Sequence, residues 1–136
     1  PRSARLQHRL FKNDGKGNFS IAERAFPINS SNVGAAVAID FDGDQDLDLF
    51  VGGRCISYLY GATPESYFFE NNGRGDFTEW ASVDKSLNKL GLITGATAAD
   101  INGDGKSELV VVGEWMSPRI FEFKKLWRRI SAYFYR

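Results

Sequence analysis

Apolar residues in this chain come in short runs bounded by glycine, asparagine and aspartate. That spacing predicts short strands and tight turns rather than long helices. Strands are expected at 9–13, 18–23, 33–39, 47–53, near 66–71, at 76–80, 94–99, 108–113 and near 119–123. Residues 81–93 read as a connection with one helical turn. Two runs, Leu49-Phe50-Val51 and Leu109-Val110-Val111-Val112, do not alternate apolar with polar. A sheet with one wet face alternates, so these strands need cover on both faces.

The pattern repeats. The stretch from Arg9 to Ser20, RLFKNDGKGNFS, matches Tyr67 to Thr78, YFFENNGRGDFT, 58 positions later. A second motif follows each copy. Gly34-Ala35-Ala36-Val37-Ala38-Ile39-Asp40 begins one, and Gly95-Ala96-Thr97-Ala98-Ala99-Asp100 begins the other, with Asp40 and Asp100 standing 60 positions apart. Two motifs in the same order at nearly the same spacing define an internal repeat. Each repeat reads as four strands, and sheets covered on both faces stack as the blades of a propeller. The small residues opening the first strand suit the crowded axis of such a stack. The fold class is therefore all-β, a fragment of a β-propeller built from four-stranded antiparallel blades. Residues 1–32 are the outer half of a preceding blade with its connection, 33–93 a complete blade, and 94–136 an incomplete one with an aberrant tail. A β-sandwich made from both repeats is the competing arrangement.

Between the first two strands of each repeat lies an acidic loop. The first runs Asp40-Phe41-Asp42-Gly43-Asp44-Gln45-Asp46-Leu47-Asp48, the second Asp100-Ile101-Asn102-Gly103-Asp104-Gly105-Lys106-Ser107-Glu108. Both carry oxygen side chains at positions 1, 3, 5 and 9. A hard cation such as calcium takes about six to eight oxygen ligands, and the carbonyl at position 7 (Asp46 or Lys106) adds one more. Carboxylates gathered this closely repel unless a cation joins them. An EF-hand would need a glutamate at position 12 and flanking helices. Val51 and Val111 occupy that position within expected strands, which excludes it.

VGAAVAIDFDGDQDLDLFVGGR, ESYFFENNGRGDFTE and GLITGATAADINGDGKSELVVVGEWM resemble the FG-GAP or VCBS repeats of integrin-alpha-type β-propellers. They are most similar to the bacterial group related to cartilage acidic protein. The resemblance covers about residues 9–123. It implies a larger propeller, an extracellular, periplasmic or cell-surface location, and calcium as a structural ion with no catalysis in the repeats. It implies ligands Asp40, Asp42, Asp44, Asp46 through its carbonyl, and Asp48. For the second site it implies Asp100, Asn102, Asp104, Lys106 through its carbonyl, and Glu108. Two positions depart from the pattern. Gln45 stands where glycine is usual, which costs of order 1 kcal/mol if that position has positive φ. Glu108 replaces an aspartate, so its longer arm must fold back.

Composition narrows the rest. The formal net charge is zero, from 17 basic and 17 acidic residues, and gives no reason to expect nucleic acid or an anionic membrane. No apolar run is long enough to span a bilayer, and residues 1–11 lack the apolar core of a signal peptide. Cys55 is the only cysteine, so no intrachain disulfide forms, and a buried or half-buried thiol is expected. His8, the only histidine, is expected to be solvated and supports neither a zinc site nor a catalytic triad. Arg74-Gly75-Asp76 spells an adhesion tripeptide, but Lys16-Gly17-Asn18 holds the same place in the other copy, so a plain hairpin turn is expected. The basic, aromatic run from Lys124 to Arg129 interrupts the repeat after Phe123 and reads as a damaged or truncated end. The expected function is a non-enzymatic, calcium-stabilised scaffold for a protein or carbohydrate ligand, completed by the remaining blades of a parent chain. The competing class is an excerpt of a propeller-containing polysaccharide- or lipid-acting enzyme with catalytic residues outside this chain. Two partial blades leave apolar faces bare, so self-association of the isolated chain is expected.

Overall fold

The computed structural model describes residues 6–81, 83–126 and 129–134, with side chains as far as Phe123. These residues form successive antiparallel sheets. β1 (Leu10–Asn13) and β2 (Phe19–Ala22) make a hairpin. β3 (Asn32–Ile39), β4 (Asp48–Cys55), β5 (Tyr67–Asn71) and β6 (Phe77–Glu79) make a four-stranded meander. β7 (Leu92–Ala99), β8 (Glu108–Glu114), β9 (Arg119–Leu126) and β10 (Arg129–Phe134) make a second one. Each repeat thus closes its own sheet in sequence order, as a blade does. The sheets do not close into a ring. The connection carries a 3-10 turn over Lys85–Lys89, capped by Asp84, whose side chain accepts from the Ser86 N–H at 2.9 Å.

The second sheet goes beyond the sequence pattern. Without an Asn-Gly turn after Phe123 it is expected to be unfinished, yet β10 pairs with β9 from Arg129↔Leu126 to Phe134↔Phe121. Pairing needs only opposed backbone donors and acceptors, so loss of the turn signature does not prevent it. The side chains of the tail expected to be aberrant, and Trp127 and Arg128 entirely, lie outside the described residues.

The unalternating strands are explained by the stacking. Along β4, Leu49 and Val51 point one way and join Tyr67, Phe69, Phe26 and Phe77 beneath the β1–β2 side. Phe50 points the other way. With Phe41, Phe68 and Trp80 it meets Ile93, Leu109, Val111 and Phe121 of the second sheet. Phe50, Phe69, Leu109, Val111 and Phe121 are all fully buried. At about 25 cal/mol per Å² of apolar area, each such side chain contributes roughly 1.5–3 kcal/mol. The aromatic rings fill the outer part of this space, with Phe41 stacked on Trp80 at 5.2 Å and tilted on Phe123 at 4.6 Å.

Close to the inner strands the sheets almost touch. A Cβ on Gly34 of β3 would lie 1.8 Å from the Ile93 carbonyl oxygen of β7. One on Gly52 would lie 2.6 Å from the Ile93 side chain. Neither position tolerates a side chain at this spacing. Cys55 is half-buried, as its place after an apolar run suggests.

His8 is not solvated. Its ring packs edge-on against Tyr67 at 5.8 Å, Phe69 at 6.2 Å and Phe26 at 6.3 Å. Nε2 lies 3.2 Å from Ser31 Oγ, the backbone N–H donates to Asn29 Oδ1 at 3.0 Å, and Nδ1 is buried without a partner. The partners lie 18 to 61 residues away, so no local pattern around His8 announces them.

Two expectations follow from this packing. Gly34→Ala should lower stability by about 1–3 kcal/mol, the usual cost of overpacking a filled site. Gly95→Ala should cost less, because its Cβ would meet only the Val112 Cγ2 methyl, at 3.1 Å. Urea denaturation of both variants measures the difference, and equal midpoints would contradict the close approach at β3 and β7. The second expectation concerns pH. Burial lowers the His8 pKa below its ordinary 6.5, against a smaller opposing effect from its bond with Ser31. An unfolded chain then binds a proton that the folded one resists. This part of the stability is complete above pH 6.5 and falls away below it. Between pH 7.5 and 5.5, the melting temperature of the parent should therefore fall further than that of His8→Phe, which keeps the ring and removes the titration.

Candidate metal centre

The two acidic loops close the same ends of their sheets. β3 pairs with β4 up to Ile39↔Asp48, and β7 with β8 up to Ala99↔Glu108. Both loops are therefore hairpin loops between strands, as the missing glutamate at position 12 requires.

Hydrogen bonds within each loop are nearly identical. Asp40 Oδ1 accepts from Gly43 N at 2.7 Å and its Oδ2 from Gln45 N at 3.1 Å. Asp100 does the same with Gly103 N at 2.7 Å and Gly105 N at 2.9 Å. Asp42 Oδ1 caps Asp44 N at 3.0 Å, and Asn102 Oδ1 caps Asp104 N at 2.8 Å. The backbone agrees as well. Gly43 and Gly103 have φ of 76° and 77°, while Gln45 and Gly105 have 78° and 86°. Gln45 thus occupies the left-handed region that glycine favours, and the chain bears that strain.

The ninth-position acids differ in how they are held. Asp48 is buried and accepts from Phe41 N at 2.9 Å and Asn71 N at 2.9 Å. Asn71 also donates from Nδ2 to the Leu47 carbonyl at 3.0 Å. The β5–β6 turn therefore braces the first loop. Glu108, equally buried, accepts from Ile101 N at 2.8 Å, which repeats the bond from Phe41. Its other oxygen accepts from Asn102 Nδ2 at 3.1 Å. The longer arm does fold back, onto the loop's own third residue. By register, Phe123 stands where Asn71 stands in the first sheet, so the side-chain amide that reaches the Leu47 carbonyl has no counterpart there.

The outcome is an asymmetry between the loops. Carboxylate oxygens of Asp40, Asp42 and Asp48 lie within 4.8 Å of one another and can hold a metal ion. Among the described residues Asp100, Asp104 and Glu108 form no such group. Asp40 and Asp42 are half-buried, whereas Asp100, Asn102, Asp104 and Lys106 are exposed. Asp44 is exposed, with Oδ1 accepting from Asp46 N at 3.0 Å. Asp46 Oδ1 is buried and has no hydrogen-bond partner. The loops face each other across a cleft of about 400 Å³ lined by Asp40, Asp42, Lys106 and Phe123.

Electrostatics single out the first loop. Burial raises the Asp48 pKa to about 6, with Asp42 and Asp46 adding to the rise and the two N–H bonds opposing it. Asp46 is raised by desolvation and then by Asp44, Asp42 and Asp40. Glu70, on β5, is raised by burial and by Asp42, Asp44 and Asp46. Burial is the largest cause of each rise, and the neighbouring carboxylates add to it. Glu70 and Asn71 belong to this site but were not among the residues the loop pattern picks out. The available signal was the repeated Lys12-Asn13 and Glu70-Asn71 position just before each glycine turn.

The Arg74-Gly75-Asp76 turn matches its counterpart. Gly73 and Gly75 have φ of 74° and 84°, against 76° and 89° at Gly15 and Gly17. Asn72 Oδ1 accepts from Arg74 N and Asp76 N, as Asp14 Oδ1 does from Lys16 N and Asn18 N. The tripeptide sits in an ordinary repeat turn.

Stacked meanders with an acidic hairpin loop at the same end of each define a β-propeller repeat of the metal-loop kind. Residues 5–51 and 56–111 match the model of the FG-GAP-like repeat. The chain belongs to that family, whose repeats imply propeller blades, and the Asp40, Asp42 and Asp48 group is consistent with FG-GAP calcium sites. No curated protein matches the chain.

The strain at Gln45 gives a direct test. Gln45→Gly should stabilise the protein by about 0.5–1 kcal/mol, the left-handed penalty less the added freedom of the unfolded chain. Denaturant titration reads this, and a loss of stability would show that the Gln45 side chain makes a compensating contribution.

Proposed function

We propose that this chain is a non-enzymatic propeller scaffold, stabilised by calcium, that presents loops for ligand recognition outside the cytoplasm. The observation that carries the reading is the convergence of the Asp40, Asp42 and Asp48 carboxylates, whose oxygens lie within 4.8 Å of one another. Carboxylates held this close repel unless a cation joins them, and clustered carboxylate oxygens are what a hard cation takes. The donor set is all oxygen, which favours calcium over softer metals.

In this reading Asp40, Asp42, Asp44 and Asp48 supply side-chain oxygens and Asp46 its carbonyl. The second loop offers Asp100, Asn102, Asp104, the Lys106 carbonyl and Glu108, with one acid fewer. A bound cation supplies the charge that balances the clustered carboxylates. The protein does the rest. Asp48 ties the loop to Asn71 of the neighbouring turn, and Asp40 fixes the backbone at Gly43 and Gln45. Ordering the loops in this way holds strand ends in register, and a rigid frame suits recognition through its loops. No catalytic step is assigned to these repeats. The competing enzyme class differs in its flanking sequence, which would carry a separate catalytic domain.

Calcium at a hundredfold excess over its dissociation constant should stabilise the fold by about 2.7 kcal/mol, and chelator should reverse this. Asp40→Ala with Asp44→Ala should remove one ion in calorimetry, and Asp100→Ala with Asp104→Ala the other. A melt indifferent to both calcium and chelator, in a folded sample, would sink the reading.

A further inference from the structure

The ends of the sheets remote from the acidic loops carry a different chemistry. There the β4–β5 loop, residues 56–66, meets the turn after β8, residues 115–118. Tyr58, Tyr60 and Trp115 are 107%, 69% and 76% exposed. Large aromatic side chains gathered at loop tips, rather than in a core, mark a recognition surface. The backbone supports this. Tyr58 and Trp115 have φ of 66° and 57°, a left-handed conformation that bulky residues rarely adopt. Such outliers persist where the surroundings hold them, often at binding sites.

Trp115 is held from two sides. Its Cζ3 lies 3.3 Å from where a Cβ on Gly61 would sit, and Gly61 itself has φ of 87°. Tyr60 meets it edge-on at 5.5 Å and 78°. The Cζ3–Cη2 edge of the indole therefore lies beside Gly61, and the ring remains largely open to solvent. Beside it, Glu114 accepts from Arg54 Nη2 at 2.7 Å and from the Tyr60 hydroxyl at 2.5 Å. Asn32 Nδ2 donates to the Cys55 carbonyl and to Ser57 Oγ, both at 3.2 Å, which steadies the base of the loop.

The chemistry of this cluster selects its ligand. An aromatic face is electron-rich and attracts polarised C–H groups or cations. The Glu114 charge is already matched by Arg54, so nothing here recruits a free cation or anion. Arg54 carries five N–H donors in a planar fork, and its side chain is 48% exposed. The complement is a neutral molecule with one flat apolar face and a rim of hydroxyls. We propose that this end of the two repeats binds carbohydrate, a neutral pyranose stacking on Trp115 while its hydroxyls bond to the Arg54–Glu114 pair. This deepens the scaffold reading and rests on it.

The test uses the full chain saturated with calcium, titrated separately with cellohexaose, mannohexaose and xylohexaose. At least one should bind saturably below about 10 mM, with a change in indole fluorescence. Trp115→Ala should weaken that binding at least about tenfold, and Glu114→Gln should weaken it to a lesser degree. Phe19→Ala, an exposed aromatic on the β1–β2 hairpin, should leave it unchanged, and melting curves confirm that each variant folds. No saturable binding of any of the three sugars overturns the proposal, as does binding that Trp115→Ala leaves intact. A protein ligand whose capture needs Trp115 while all three sugars fail overturns it in favour of a protein interface. An intact calcium response without sugar binding sinks this inference alone. Sugar binding without a calcium response sinks the scaffold reading and leaves this one standing.

Discussion

The contact on which the rest depends is the approach of β3 to β7. At Gly34 the two backbones come so near that a Cβ would overlap the Ile93 carbonyl, at 1.8 Å. Stacked sheets ordinarily lie about 10 Å apart, with side chains between them. Here the inner strands are far closer, while Phe41, Phe50, Phe68, Trp80 and Phe123 fill the space further out. The gap between the sheets is a wedge, narrow at glycine and alanine and wide at the aromatics. That taper makes the sheets blades rather than the parallel layers of a sandwich. It also fixes the register of one repeat against the next, because only small residues fit at the narrow edge.

The acidic site inherits its precision from that register. Asp48 is both the first residue of β4 and the ninth residue of the loop, so any slip in β3–β4 pairing would carry it out of reach of Phe41 N and Asn71 N. A one-residue slip also turns every side chain to the other face. The second loop keeps the same backbone but not the same brace. Phe123 takes the place of Asn71 and packs on Phe41, and the second oxygen of Glu108 accepts from Asn102 Nδ2. Core and site thus trade at one position. The residue that widens the hydrophobic wedge in the second sheet removes the amide that steadies the metal loop in the first.

Much of this was legible in the sequence, because the informative features were periodic. Strands showed as apolar runs, the repeat as paired motifs, the loops as oxygen side chains at alternate positions. Even the left-handed conformation at Gln45 could be read by comparing it with Gly105. What could not be read lies between distant segments. His8 looks like an isolated polar residue, and only Tyr67 and Phe69, some 60 positions on, give it an aromatic nest. β10 pairs through its backbone and carries no turn signature. Glu70 has its pKa raised by burial and then by Asp42, Asp44 and Asp46, which folding brings to it from another segment. The contact of Tyr60 with Trp115 joins two loops from different repeats, and no motif in either loop names the other.

The Arg54–Glu114 pair shows what keeps adjacent repeats distinct. The two residues hold equivalent positions, each following the glycine at 53 or 113, yet they carry opposite charges and bond across the blades at 2.7 Å. Were the repeats identical at this position, two arginines or two glutamates would meet at that distance, and like charges so placed repel. The Asp40 and Asp100 positions obey the contrary rule. Each loop folds on its own hydrogen bonds, so identity there brings no clash between neighbours. A repeat array of this kind therefore varies its sequence where neighbours touch and preserves it where each repeat acts alone. The Arg54–Glu114 and Tyr60–Trp115 contacts are built between unlike neighbours. The acidic loops repeat one backbone conformation, and the grouping of carboxylates on it then depends on each loop's own side chains.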